Sequence, residues 1–183
     1  AEEIAHEHGK DARVIELILR ESRRIVRMAQ SHLIVETHHG FVCANAGLDE
    51  SNSLDEHVVI LLPKDPDASA AALRDRLGER LRCRPAVIVT DTFGRPWREG
   101  LVEFAIGVAG MAPLLDLRGE RDWAGRELHH TVVAVADEIA CAAGLVMEKG
   151  NGVAAVVVRG YRGKGVEAGA RALLREPGKD LFR

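Results

Sequence analysis

Two aspartates stand in phrases suited to holding a hard cation: Asp49 is followed by Ser51 and Asn52, and Asp91 by Thr92. Carboxylate, hydroxyl and amide oxygens are the donors that hard divalent metals favour, and such metals often complete their shell with phosphates or water. Two loops of this kind can share one cation. The same aspartates also serve as turn formers, because Asp bonds nearby backbone N–H groups and tolerates turn geometry. Residue type alone leaves both readings open. Arg95 and Arg98 follow Asp91 closely. A guanidinium presents paired donors in a fork that fits a carboxylate or a phosphate; the alternative is a solvated loop paired with Glu99 or Glu103.

Three further groups carry weaker signals. In the phrase MEKGNGV, Glu148, Lys149, Gly150 and Asn151 follow a helical pattern. Its glycines let backbone N–H groups approach a phosphate, and a glycine cap of the helix explains them nearly as well. His38 and His39 are neighbours, so on a strand they face opposite ways, and no third soft ligand lies near in sequence; they read as turn histidines. Asp137 and Glu138 sit roughly 100° apart on a helix, which favours a solvated or ion-paired face over an acid and base pair.

These residues need elements to position them. Apolar spacing predicts an amphipathic helix over 11–28, with Val14, Ile18 and Ile25 on one stripe. Runs at 33–37 and 41–46 flank His38-His39-Gly40 and predict a β-hairpin. The stretch 58–62 reads as a buried strand, and Ser69 as the N-cap of a helix carrying Leu73, Leu77 and Leu81. A strand over 86–90 then runs into DTFGRPWREG, read as a loop, followed by a strand over 102–110 and irregular chain over 112–126. A helix over 131–147 has Val132, Val135, Ala136, Ile139, Ala143 and Val146 at helical spacing. The apolar run 154–158 reads as a central strand, and the glycine-rich chain beyond Tyr161 as a loop. Helices and strands mix without strict βαβ order, so the fold class is α+β or mixed α/β, a mixed sheet with flanking helices.

With 183 residues, 46% of them hydrophobic, the chain is long enough to bury a core as one domain spanning 1–183. A net charge of -3 leaves no cationic excess for a nucleic acid or an anionic membrane surface, so neither is an expected partner. Three scattered cysteines suggest neither a disulfide framework nor a zinc knuckle, and no apolar stretch is long enough to cross a bilayer. The expected location is the cytoplasm.

Longer phrases carry more information than any of these motifs. LIVETHHGFVCANAGLDESN, LLPKDPDASAAALRDRL, VIVTDTFGRPWREG, FAIGVAG, RDWAGREL, VAVADEIACAAGLVM and AAVVVRG occur in this order. Together they resemble the coenzyme F-420:L-glutamate ligase family, the AG-x-D-x-SN and TDT-x-GR-x-x-R-x-G phrases being the most specific.

The resemblance implies a mixed α/β homodimer that uses GTP and divalent metal, manganese or magnesium, to join L-glutamate to the phospholactyl carboxylate of a glutamate-free deazaflavin coenzyme. Further additions would be γ-linked. Carried over by matching position, Asp49 and Asp91 are implied metal ligands, Thr92 and Glu148 ligands of a second metal, and Asn52 a nucleotide contact, with Glu148 to Asn151 forming the nucleotide-binding loop. Arg95 and Arg98 are the catalytic-site candidates for anchoring an acidic substrate or a phosphate. Family members carry a strand and a Ser/Thr-and-Lys-bearing turn, used in GTP binding, ahead of the helix that here begins near Ala1, so the chain is expected to be N-terminally incomplete relative to them. The ending LLREPGKDLF is similar to the junction of two-domain relatives in which a flavin-binding domain follows. Two rival functions are a metal-dependent phosphohydrolase using the Asp91 loop and a catalytically silent dimeric module that binds the deazaflavin.

Overall fold

A computed structural model describes residues 1–29, 32–50 and 58–180. The fold is mixed α+β, and it divides into two compact units: residues 1–64 with 93–101, and residues 65–92 with 102–183.

The first unit opens with α1 (Glu2–His8) and α2 (Ala12–Arg20), followed by the antiparallel strands β1 (Ser22–Ala29), β2 (His32–Thr37) and β3 (Val42–Ala44) in the order β1-β2-β3. Asp11 caps α2, its carboxylate accepting from Arg13 N–H at 2.8 Å. Ile15 and Ile18 of α2 are fully buried and pack with Leu33 and Val35 of β2. Burying such aliphatic side chains supplies the main stabilisation of this layer, about 2 kcal/mol for each.

The expected long helix over 11–28 is corrected here: it ends at Arg20, and a strand takes its second half. The Ser22 hydroxyl donates to the Ile18 carbonyl at 2.5 Å, closing the last turn of the helix. Ile25 and Val26, being β-branched, suit the strand that follows, and Ile25 pairs with Val35 and Met28 with Leu33. The hairpin β2–β3 stands where it was expected. Gly40, at φ 100°, takes the turn, and Phe41 N–H donates to the Thr37 hydroxyl at 3.2 Å.

The second unit holds α3 (Pro66–Arg80), the bases of β4 (Val87–Arg95) and β5 (Arg98–Ala109), the short pair β6 (Leu115–Asp116) and β7 (Val132–Val133), and α4 (Val135–Met147). Its core joins Ala105, Val108 and Met111 to Val135, Ala136 and Ala170. Asp65, not Ser69, caps α3: its carboxylate accepts from Ala68 N–H at 2.9 Å, and Pro66 follows at the first helical position, where its fixed φ is favourable. Ser69 lies inside the first turn and donates to the Asp65 carbonyl. Leu73 and Leu77 lie on the helix as expected, Leu81 is its C-cap, and all three remain substantially exposed.

Further corrections concern β structure. The sequence read as a loop after 90 continues β4 to Arg95, and only Pro96 and Trp97 make the turn into β5. The residues 58–62 form no buried strand; Ile60 makes a single bridge to Asp49, and Val58 and Ile60 are about half exposed. The run 154–158 has no ladder partner among the described residues and is largely exposed. The expected helix from 131 starts at Val135, because Val132 and Val133 pair with Asp116 and Leu115 instead. Asp137 is not a freely solvated acid: it is half-buried and accepts from Ala105 N–H at 2.9 Å, and burial pushes its carboxyl above the usual range.

Candidate functional site

In the first unit, Asp49 stands directly after one unusual turn. Asn45, Ala46 and Gly47 have φ values of 51°, 58° and 68° in succession. Left-handed backbone costs an L-residue such as Ala roughly 1–2 kcal/mol, a strain that clusters at functional positions. Gly47 is required there twice over, since a Cβ would lie 2.9 Å from Leu62 Cγ. Beyond the turn, Asp49 N–H donates to the Ile60 carbonyl at 3.0 Å and Ile60 N–H returns the bond at 2.9 Å. The AG-x-D phrase is thus a strained turn followed by a clamped backbone at the aspartate.

Arg95 and Arg98 bracket the tip of the β4–β5 hairpin. Phe93, two residues before Arg95, packs its ring 6.4 Å from that of Phe41, which itself stacks on His39 at 5.6 Å. Arg95 Nη2 donates to the Glu99 carbonyl at 3.2 Å, while its Nη1 is buried and finds no hydrogen-bond partner among the described residues. A buried guanidinium nitrogen left in this way fits an anionic ligand group. Arg98 is exposed. The two histidines of the neighbouring turn tie loops together, His38 Nε2 at 2.8 Å from the Arg20 carbonyl and His39 Nε2 at 2.9 Å from that of Pro63.

In the second unit, Asp91 and Thr92 are consecutive residues within β4, so their side chains leave opposite faces of the hairpin. The Thr92 hydroxyl donates to Glu103 of β5 at 2.8 Å. Glu148 closes α4 with φ 49° and ψ 177°, close to a region that glycine alone occupies readily, and Asn151 Nδ2 donates to its carboxylate at 2.7 Å. Gly150 and Gly152 meet no neighbouring atom where a Cβ would stand, so the loop backbone is open to an approaching group. Lys149 is exposed beside them.

Taken one by one, these donors suit hard divalent cations. All are carboxylate or hydroxyl oxygens, the Thr92 proton is already committed to Glu103, and the Glu148 carboxylate lies at the negative end of the α4 dipole, where a cation is the favoured neighbour. Among the described residues no three His, Cys, Asp or Glu side chains gather into one ligand cluster. Magnesium-type ions commonly use one or two carboxylates and leave the remaining positions to phosphate and water. Asn52 lies outside the described residues. In the sequence Glu103 stands out only as an ion-pair partner for the arginines; the β4–β5 hairpin, in place of a loop over 91–100, brings it to Thr92.

The model of a protein family described as F420-0:Gamma-glutamyl ligase matches residues 1–160. The chain belongs to this family. Among similar ligases, the "Coenzyme F420:L-glutamate ligase" of Methanothermobacter thermautotrophicus is 49% identical over 184 residues, a span covering 99% of this chain and 73% of that protein. The ligase of the same name from Methanopyrus kandleri is 49% identical over 189 residues, covering 100% and 74%. That of Archaeoglobus fulgidus is 44% identical over 184 residues, covering 100% and 73%. No described helix is long and apolar enough to cross a membrane.

Proposed function

We propose that this chain joins L-glutamate to the phospholactyl carboxylate of the glutamate-free deazaflavin coenzyme, and extends the product through γ-linkages. The observation that carries this reading is the 49% identity over 99% of the chain to a protein named as such a ligase.

A carboxylate does not condense with an amine unaided, so GTP would first transfer its γ-phosphoryl group to a carboxylate oxygen, releasing GDP. The glutamate nitrogen then attacks the acyl carbon, the bond from that carbon to the phosphate oxygen breaks, and inorganic phosphate leaves as the amine gives up a proton. Manganese or magnesium, when bound, would offset the negative charge of the phosphates. Asp49 and Asp91 are each suited by their carboxylates to hold one such ion, and Thr92 and Glu148 to hold a second. The open backbone of Gly150 and Asn151, with Lys149, would contact the nucleotide, as would Asn52. Arg95 would take a carboxylate or phosphate of the substrate on its unpartnered nitrogen, with Arg98 beside it in sequence.

We also place the protein in the cytoplasm as a homodimer. Cys43, Cys83 and Cys141 are thiols joined in no disulfide among the described residues, which suits a reducing compartment. Apolar side chains left on the surface, Leu145 and Val157 among them at about four-fifths exposure, are the kind that a second subunit covers.

The test is to mix the protein with GTP, Mn2+, L-glutamate and the glutamate-free coenzyme, and to read product masses together with released phosphate. Products heavier by whole glutamate residues, with stoichiometric phosphate, are expected. Phosphate release without glutamate addition would point to a phosphohydrolase, and coenzyme binding without turnover to a silent binding module; either result overturns the ligase reading. Arg95→Ala is expected to raise KM more than it lowers kcat.

A further inference from the structure

The Thr92–Glu103 contact does more than join two strands of a hairpin. Glu103 is held from several sides within the second unit. Its backbone carbonyl accepts from the Cys141 thiol of α4 at 3.2 Å, and its side chain passes over Gly144 of the same helix so closely that a Cβ there would stand 2.6 Å from Glu103 Cγ. From that seat its Oε1 takes the Thr92 hydroxyl proton at 2.8 Å.

A threonine hydroxyl has one proton and two lone pairs, and its proton position is free to rotate. A neutral hydroxyl binds a cation only through a lone pair, so a rotor that aims its proton at the cation site opposes binding. A buttressed acceptor on one side removes that freedom and leaves the lone pairs directed elsewhere. Resting on the metal-dependent reading given above, we infer that Glu103 is a positioning residue. It orients the Thr92 hydroxyl for a divalent cation by accepting its proton, and Gly144 is the residue on α4 that gives it room to do so. What matters in this role is the reach of an acceptor oxygen to Thr92, not the charge of the carboxylate.

Two substitutions separate reach from charge. Glu103→Gln keeps the length and a carbonyl acceptor but loses the charge; Glu103→Asp keeps the charge but draws it back by one methylene. Mn2+ binding to the full chain, in the presence of a non-hydrolysable GTP analogue, is read from the electron paramagnetic resonance signal of free Mn2+, so no turnover is needed. Thermal melts without metal show that each variant is folded. Glu103→Asp is expected to weaken Mn2+ binding by at least about tenfold, the usual effect of losing an outer-sphere partner, while Glu103→Gln stays within about threefold of wild type. Thr92→Val should weaken binding as Glu103→Asp does, and the double variant should be no weaker than Thr92→Val alone.

Loss in Glu103→Gln with retention in Glu103→Asp, equal loss in both, no loss in either, or additive losses with Thr92→Val each overturn the inference. A wild-type protein that holds no Mn2+ overturns the metal-dependent reading and this role with it. A wild-type protein that binds Mn2+ and adds glutamate, with either Glu103 variant failing its expected pattern, overturns this role alone.

Discussion

Glu148 occupies backbone that suits a different residue. At φ 49° and ψ 177° a side chain is strained, by about 1–3 kcal/mol, and glycine would relieve most of it. An acid at the C-terminal end of α4 also meets the negative pole of the helix. Both effects disfavour this carboxylate unless a cation compensates. Glu148→Gly is therefore expected to raise the metal-free melting temperature, by a few degrees, while lowering ligase activity at least about tenfold. A variant that loses both stability and activity would mean that the Asn151 hydrogen bond outweighs the strain, and the argument for a cation at this position would fail.

The junction of α3 with β5 depends on small residues and one aspartate. Asp67, in the first turn of α3, accepts from Val108 N–H of β5 and from Ala170 N–H, both at 2.8 Å. Gly107 allows the helix start to come this close, because a Cβ there would lie 2.2 Å from the Pro66 carbonyl oxygen. Backbone cannot swing away as a side-chain tip can, so Gly107→Ala must move the helix start and pull the Asp67 carboxylate off its two donors. Overpacking costs about 1–3 kcal/mol, and weakening hydrogen bonds to a charged acceptor adds to it. Urea denaturation should show a loss of roughly 3 kcal/mol or more. Asp67→Asn, which keeps an acceptor oxygen, should lose less; the reverse ranking would show that the contact is not set by the glycine.

The chain as a whole leaves several apolar segments uncovered. Leu73 and Leu77 of α3 and Leu81 at its C-cap recur at helical spacing, Leu145 and Val146 lie in the last turn of α4, and in the run 153–158, outside any helix or strand, Val157 and Val158 are exposed. A contiguous apolar run open to solvent is a hazard for aggregation unless another chain meets it. Sedimentation equilibrium at micromolar concentration is expected to give twice the chain mass. Val157→Lys, which places a charge on this run, should shift the equilibrium toward the monomer by at least about tenfold in Kd. A chain that sediments as a monomer at every concentration would remove the dimer from the functional proposal.

The sequence by itself determined the family, through phrases that recur over nearly the whole chain, and it identified the β2–β3 hairpin, where Gly40 and the flanking β-branched runs act locally. It also located the greater part of α4, whose Val135, Ala136 and Ile139 spacing survives in the core. Tertiary structure decided the rest. Residues 22–29 carry helix-compatible spacing, yet pairing with β2 makes them a strand, because ladder partners distant in sequence outweigh local periodicity. The run 154–158 has strand composition but no ladder partner among the described residues, so composition alone could not make it a strand. The Asp91 phrase looks like a loop because it holds glycine, proline and charges, whereas pairing of β4 with β5 extends it and brings Glu103 to Thr92. Which oxygen-bearing residues suit a hard cation by type was legible from sequence. Which one positions another depends on a hydrogen bond across the hairpin, and only folding creates it.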